Sequence, residues 1–145
     1  EAEGAALAQV ITGQLDQISG LVGTARDLAE ARRGRASQTL REALARLLST
    51  SEGLDETRIA QELALLAVKQ DITEELDRLA AHINAARALV ADTAPVGRKF
   101  DFLMQEFLRE ANTLLSKAQD LDLTRVGLDL KTVIDQMREQ VQNVE

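Results

Sequence analysis

Apolar residues recur along this chain mostly at three- and four-residue spacing, the period of a helix with one buried face. Leu7, Ile11, Ile18, Val22, Ala25 and Ala29 form the first such stripe, which predicts an amphipathic helix over roughly residues 2–32. Gly13, Gly20 and Gly23 weaken that helix intrinsically, so it is expected to lean on a partner. The run ARRGRAS is expected to break it, with Leu40, Leu44, Leu47 and Leu48 carrying a shorter helix beyond. STSEGLDE reads as a turn, and Ile59, Leu63 and Leu66 mark a helix that starts near Asp55.

At Asp71-Ile72-Thr73-Glu74 a side-chain acceptor stands three residues before a glutamate, the spacing of a capping box. Either a new helix starts there or the old one kinks. The stripe that follows is Ile72, Leu76, Leu79, Ile83, Ala86 and Val90. Asp92 to Gly97 is expected to be a loop, because Pro95 restricts Ala94 and cannot continue a helix. Phe100, Leu103, Met104, Phe107, Ala111, Leu114, Leu115 and Ala118 then make a sustained apolar face. The last helix opens near Asp122 or Thr124 and carries Val126, Leu130, Val133, Ile134, Met137, Val141 and Val144. Short links between long helices favour antiparallel neighbours, so the fold class is all-α, a bundle of long antiparallel amphipathic helices. Residues 1–50 are expected to form a helical hairpin or oligomerisation region and residues 51–145 a C-terminal helical domain. The long one-sided stripes lead us to expect a homo-oligomer.

Composition narrows the chemistry. With aromatics at 2% of 145 residues, Leu, Ala, Val and Ile must fill the core. The formal charge of −7 resists non-specific binding to nucleic acid or acidic membranes, so any RNA site must be a local basic patch or use a metal ion. There are no cysteines, which excludes thiolate metal sites and suits a reducing, cytoplasmic setting. No apolar run is long enough to span a bilayer. The opening EAEGAALAQV reads as helix interior without cap or initiator Met, so a preceding part of the protein is expected to be missing.

Two polar faces can carry chemistry. On the helix after Gly97, at about 100° per residue, Arg98, Asp101, Gln105, Arg109, Asn112 and Ser116 share one face. Lys99, Glu106, Glu110, Thr113 and Lys117 form the adjoining stripe. Residues 96–118 hold a net charge of +1, leaving −8 for the rest. Arginine forks and lysine point charges can bind phosphate there, while Asp101, Glu106 and Glu110 offer oxygen ligands to a hard divalent ion. The other face carries Asp71, Glu75, Arg78 and His82, the single histidine, as a proton carrier or a metal ligand. The same residues also read as solvated faces laced by ion pairs. Zincin, P-loop, nucleophile-elbow and dinucleotide motifs are absent. Phe100 and Phe107 lie on the core stripe, and only Phe102 points toward the polar side.

DITEELDRLAAHI, PVGRKFDFLMQEFLREANTLLSKAQD and LKTVIDQMREQVQNVE, in that order, closely resemble the C-terminal domain of the YicC/YloC family of bacterial endoribonucleases. The resemblance is strong over residues 56–145, and residues 1–50 resemble the long helices preceding it. It implies cleavage of single-stranded RNA, dependence on a divalent metal (Mn or Mg), a homo-oligomeric ring, expected to be a hexamer, and an N-terminal domain that this chain lacks. Matching positions are Glu74, Glu75, Arg78 and His82 in the first segment. In the second they run from Arg98, Lys99, Asp101, Gln105 and Glu106 to Arg109, Glu110, Asn112, Thr113, Ser116 and Lys117. Arg138, Glu139, Gln140 and Asn143 match the third. The expected roles are His82, Glu75 and Glu106 in catalysis, and Asp101, Glu106 and Glu110 as metal ligands. Arg78, Arg98, Lys99, Gln105, Arg109, Asn112 and Lys117 are expected to contact RNA. Two positions depart from the pattern: Phe100 stands for the usual Leu, and Leu108 for a common Asn. The competing expectation is a non-catalytic helical oligomerisation or scaffold domain.

Overall fold

A computed structural model describes residues 2–50, 56–91 and 97–144, and every described residue outside two short links is helical. The elements are α1 (Ala2–Thr50), α2 (Glu56–Gln70), α3 (Thr73–Ala91), α4 (Gly97–Ala118) and α5 (Leu121–Val144). The expected loop at 92–96 and the turn at 51–55 lie outside the described residues.

Four of the helices close a bundle in which α1 packs on α3 and α5, and α4 packs on α3 and α5. Neighbours run antiparallel. Asp16 pairs with Arg87 at 2.8 Å and Arg26 with Asp77 at 3.0 Å, so α3 descends as α1 ascends. The same inverse order links Glu75 to Lys117 and Arg78 to Glu110 across α3 and α4. One core joins Ile11, Leu15, Ile18, Val22 and Ala25 of α1 to Leu79 and Ile83 of α3, Met104 and Phe107 of α4, and Leu130, Ile134 and Met137 of α5. The first half of α1 and helices α3 to α5 therefore share a single apolar interior among the described residues, to which α2 contributes no buried side chain.

The stripes fall where their periodicity puts them, with three differences. First, α1 does not break at ARRGRAS but continues to Thr50. A lone Gly34 costs a helix only about 1 kcal/mol relative to Ala, and the flanking arginines and alanines are good helix formers. Arg32 also makes tertiary contacts. Its guanidinium donates to the carbonyls of Ala118 and Lys117 at the end of α4 and pairs with Asp120 at 3.5 Å. Second, α3 is a new helix and not a kinked continuation. The Asp71 carboxylate accepts from the Thr73 amide at 2.9 Å and the Thr73 hydroxyl at 2.6 Å. Glu74 does not close the expected capping box; its carboxylate lies 3.4 Å from Arg78 one turn on. Third, α5 starts at Leu121, capped by Asp120, whose carboxylate accepts from the Leu123 amide at 2.8 Å. The link is two residues long because Gln119 takes a left-handed conformation (φ 52°), which ends α4 abruptly.

The tight link also brings α4 and α5 close. A Cβ added to Gly127 would stand 2.6 Å from Leu115 Cδ2 and 2.8 Å from its Cγ, so glycine is what lets the Leu115 side chain pack directly on the α5 backbone. No helix among the described residues is long and apolar enough to cross a membrane.

Candidate active site between α3 and α4

Antiparallel packing of α3 on α4 brings the two polar faces together along one seam. α3 contributes Glu75, Arg78 and His82, which lie at i, i+3 and i+7 and so share a side of the helix. α4 contributes its flanking stripe, Glu106, Glu110 and Lys117.

At one end of the seam Glu75 is fully buried, and its Oε1 accepts from Lys117 Nζ at 2.6 Å. Lys117 also donates to the Asp71 carbonyl at 3.4 Å, tying the α3 cap to α4. In the middle, Arg78 Nε donates to Glu110 Oε1 at 2.8 Å. Its Nη2 lies 3.9 Å from Glu75, so the guanidinium bridges two buried carboxylates. The hydrogen bond to Glu110 raises the Arg78 pKa above its already high ordinary value. Asp71, outside the seam, is held below the usual carboxylate range by the Thr73 hydroxyl and then by the Thr73 amide.

At the other end stands His82, its ring edge-on to Phe107 at 5.7 Å between centroids. A ring nitrogen of His82 and one carboxylate oxygen each of Glu106 and Glu110 lie within 4.8 Å of one another. His82 Nε2 is buried and has no hydrogen-bond partner. Octahedral ligands of a small divalent ion stand about 3 Å apart when adjacent, since each lies about 2.1 Å from the metal. Glu75, Glu106 and Glu110 together face two cations, Arg78 and Lys117, so the seam carries one surplus negative charge. An unpartnered buried imidazole nitrogen, two carboxylates and that surplus fit a divalent cation.

The arrangement redistributes the expected roles. Asp101 leaves the ligand set: its carboxylate lies 3.7 Å from Arg138 on α5 and accepts from Gln105 at 3.4 Å. The helix wheel explains this, because positions 101 and 106 are about 140° apart and flank the core on opposite sides. His82, and not Asp101, stands within 4.8 Å of the Glu106 and Glu110 oxygens. Glu75 is buried in a pair with Lys117 and is not open to solvent as a catalytic acid. Arg78 and Lys117, expected on phosphate, already hold carboxylates. Gln105, Arg109 and Asn112 are exposed on the outer face of α4, and Arg98 and Lys99 are exposed in its first turn. Leu108 packs against the core, and Phe100 is buried in it, so neither departure reaches the His82 cluster. Glu139 and Gln140 are exposed, and the side chain of Asn143 lies outside the described residues. Sequence reading did not find Arg32 or Asp120; an Asp directly before Leu121 was the available signal for the second.

The molecule is thus an antiparallel helical bundle with a candidate cation centre set in one helix seam. Residues 25–145 match the family model described as endoribonuclease YicC-like, C-terminal, and the chain belongs to that family. It is similar to the protein named "Probable endoribonuclease YicC" of Haemophilus influenzae, with 41% identity over 144 residues, 99% of this chain and 49% of that protein. A protein of the same name from Clostridioides difficile is 40% identical over 102 residues, 70% of this chain and 35% of its own length. The chain spans about half, or less, of the curated relatives it matches.

Proposed function

We propose that this chain is the helical part of a metal-dependent endoribonuclease that cleaves single-stranded RNA, with His82, Glu106 and Glu110 holding a divalent ion. The observation that carries the reading is that a ring nitrogen of His82 lies within 4.8 Å of a Glu106 and a Glu110 carboxylate oxygen, on a histidine whose Nε2 is buried without a hydrogen-bond partner. One nitrogen and two oxygens suit Mn²⁺ better than Mg²⁺, which prefers oxygen ligands and water. When bound, such an ion acidifies a water molecule and polarises a phosphodiester oxygen.

The chain's own residues supply the rest. Arg78 fixes one oxygen of Glu110, so the carboxylate meets the site in a set orientation. Glu106 is half-buried and has no cation partner among the described residues, so one of its carboxylate oxygens would hold the ion and the other would be free to accept a proton from water. In this scheme His82 acts as a ligand and not as the proton carrier. Lys117 and Glu75 neutralise each other and hold the two helices in register. Arg98 and Lys99 receive phosphates along the seam, and Gln105, Arg109 and Asn112 form a second, outer contact face for RNA.

The family relationship supports nuclease chemistry, and the cysteine-free composition suits a cytoplasmic enzyme. The working assembly in this proposal is a homo-oligomeric ring, a hexamer, completed by an N-terminal domain. Leu65 and Val68 of α2, 60% and 70% exposed, are surfaces such an assembly would cover. Those same residues favour the second reading, a scaffold without catalysis.

Cleavage of a labelled single-stranded RNA with Mn²⁺ or Mg²⁺, against EDTA, separates the two. The full-length protein is expected to cut only with metal, and His82→Ala and Glu106→Ala to lose at least about a hundredfold in rate. Undiminished cleavage by both variants removes the assigned roles. Absence of cleavage by the wild type favours the scaffold.

A further inference from the structure

Beyond the His82 cluster the same seam opens into a shallow groove of about 530 Å³. Its α3 wall is Ala85, Ala88 and Leu89, and its α4 wall holds Arg98, Lys99 and Phe102. The chain has three aromatic residues; Phe100 and Phe107 are buried, whereas Phe102 is 61% exposed. Arg98 and Lys99 have no carboxylate partner among the described residues. They sit in the first turn of α4, which holds no acid, where the helix dipole disfavours positive charge. Two unpaired cations there, in a chain of net charge −7, are not explained by folding.

We infer that this groove is a nucleobase subsite: a base of single-stranded RNA stacks on Phe102 against the small apolar wall of α3, and Arg98 and Lys99 hold the flanking phosphates. The inference rests on the ribonuclease reading and assigns that site a contact with the strand next to the scissile bond. Phe102 and Glu106 are one helical turn apart, about 6 Å along the axis. A strand with its phosphate at the His82 cluster therefore lays a neighbouring base over Phe102. The open, alanine-lined wall admits any base, so stacking gives little sequence preference, and a base held in a duplex has no free face to offer. Two cations flanking an exposed aromatic ring match the alternating phosphates and base faces of a single strand, so RNA is the occupant.

The chain has no Trp and no Tyr, so Phe102→Trp introduces a single fluorescent reporter at the groove. With EDTA present to prevent cutting, a single-stranded oligouridylate is expected to quench the indole, and a duplex of equal length to leave it unchanged. Fluorescein anisotropy is expected to show oligouridylate binding weakened about tenfold or more by Phe102→Leu and Phe102→Ala, and retained by Phe102→Trp. Arg98→Gln with Lys99→Gln is expected to lower the salt dependence of binding. Unchanged affinity in Phe102→Ala overturns the subsite, as does indole emission that follows protein concentration but not oligonucleotide, which identifies a second copy as occupant. Metal-dependent cleavage with wild-type affinity in Phe102→Ala refutes the subsite alone. Quenching by single strands, with a full-length protein that never cuts with Mn²⁺ or Mg²⁺, refutes the catalytic reading alone.

Discussion

Replacing Lys117 with methionine removes one ammonium group, and the loss falls on Glu75. The Glu75 side chain is 1% exposed, and its nearest cation is Lys117 Nζ at 2.6 Å. Without that ammonium its remaining cation is Arg78, at 3.9 Å and shared with Glu110. Removing one partner of a buried ion pair destabilises by about 3–5 kcal/mol, because it strands a charge away from water. Lys117 is 31% exposed, so solvent already screens part of the interaction, and Arg78 stays. Together these place the loss for Lys117→Met at about 2–3 kcal/mol. Glu75→Leu leaves an ammonium that can turn to water, and its loss is about 1 kcal/mol. Lys117→Met combined with Glu75→Leu removes both charges and is expected within about 1 kcal/mol of wild type, as apolar replacements of buried pairs generally are. Urea unfolding at pH 7 followed by helical circular dichroism reads these differences. For Lys117→Met the midpoint is expected to fall by about 1 M or more at an ordinary slope. A double variant as unstable as the sum of the singles, with coupling below about 0.5 kcal/mol, would refute the buried-pair reasoning.

Asp71→Ala removes the cap of α3 and is expected to cost about 1 kcal/mol at pH 7. Because the native Asp71 carboxyl titrates below its ordinary value, that stabilisation is present above about pH 4 and disappears as pH falls through the lower native value. The gap between wild type and variant should therefore close on acidification, as urea titrations at stepped pH will show. Gly127→Ala is expected to destabilise by about 1–3 kcal/mol through its clash with Leu115, although alanine is the better helix former. Gly20→Ala, where an added Cβ meets nothing within 4 Å, is expected to stabilise by about 0.5–1 kcal/mol, and thermal melts of the pair test the contrast. Arg32→Ala strips the last carbonyls of α4 of a charged donor and is expected to cost about 2 kcal/mol, with faster amide exchange in the Gln119–Asp120 link as the specific sign.

Much of this bundle is legible from spacing because its helices bury one face each. The stripe of Leu76, Leu79, Ile83 and Ala86 and that of Phe100, Met104, Phe107 and Ala111 predict their helices and their core contacts alike. The run at Arg32 misleads because its charge reads as a surface break, whereas the arginine serves a helix end 85 residues away. The seam was half legible. Glu75, Arg78 and His82 share a face by periodicity, and so do Glu106, Glu110 and Lys117. What periodicity cannot give is which flank of α4 turns toward α3. That choice depends on the crossing set by the core, and it decides that His82 and not Asp101 completes the cluster. The partner of Glu75 was illegible for the same reason, since Lys117 meets it only across the interface.

Electron spin-echo spectroscopy of Mn²⁺ bound to the chain reads the proposed ligand set atom by atom. If His82 ligates the ion, the echo carries modulation from a single ¹⁴N nucleus, the His82 ring nitrogen. That modulation vanishes in His82→Gln, and binding weakens in Glu106→Gln and Glu110→Gln. Bound Mn²⁺ without nitrogen modulation, or modulation that persists in His82→Gln, would contradict a cation centre between α3 and α4.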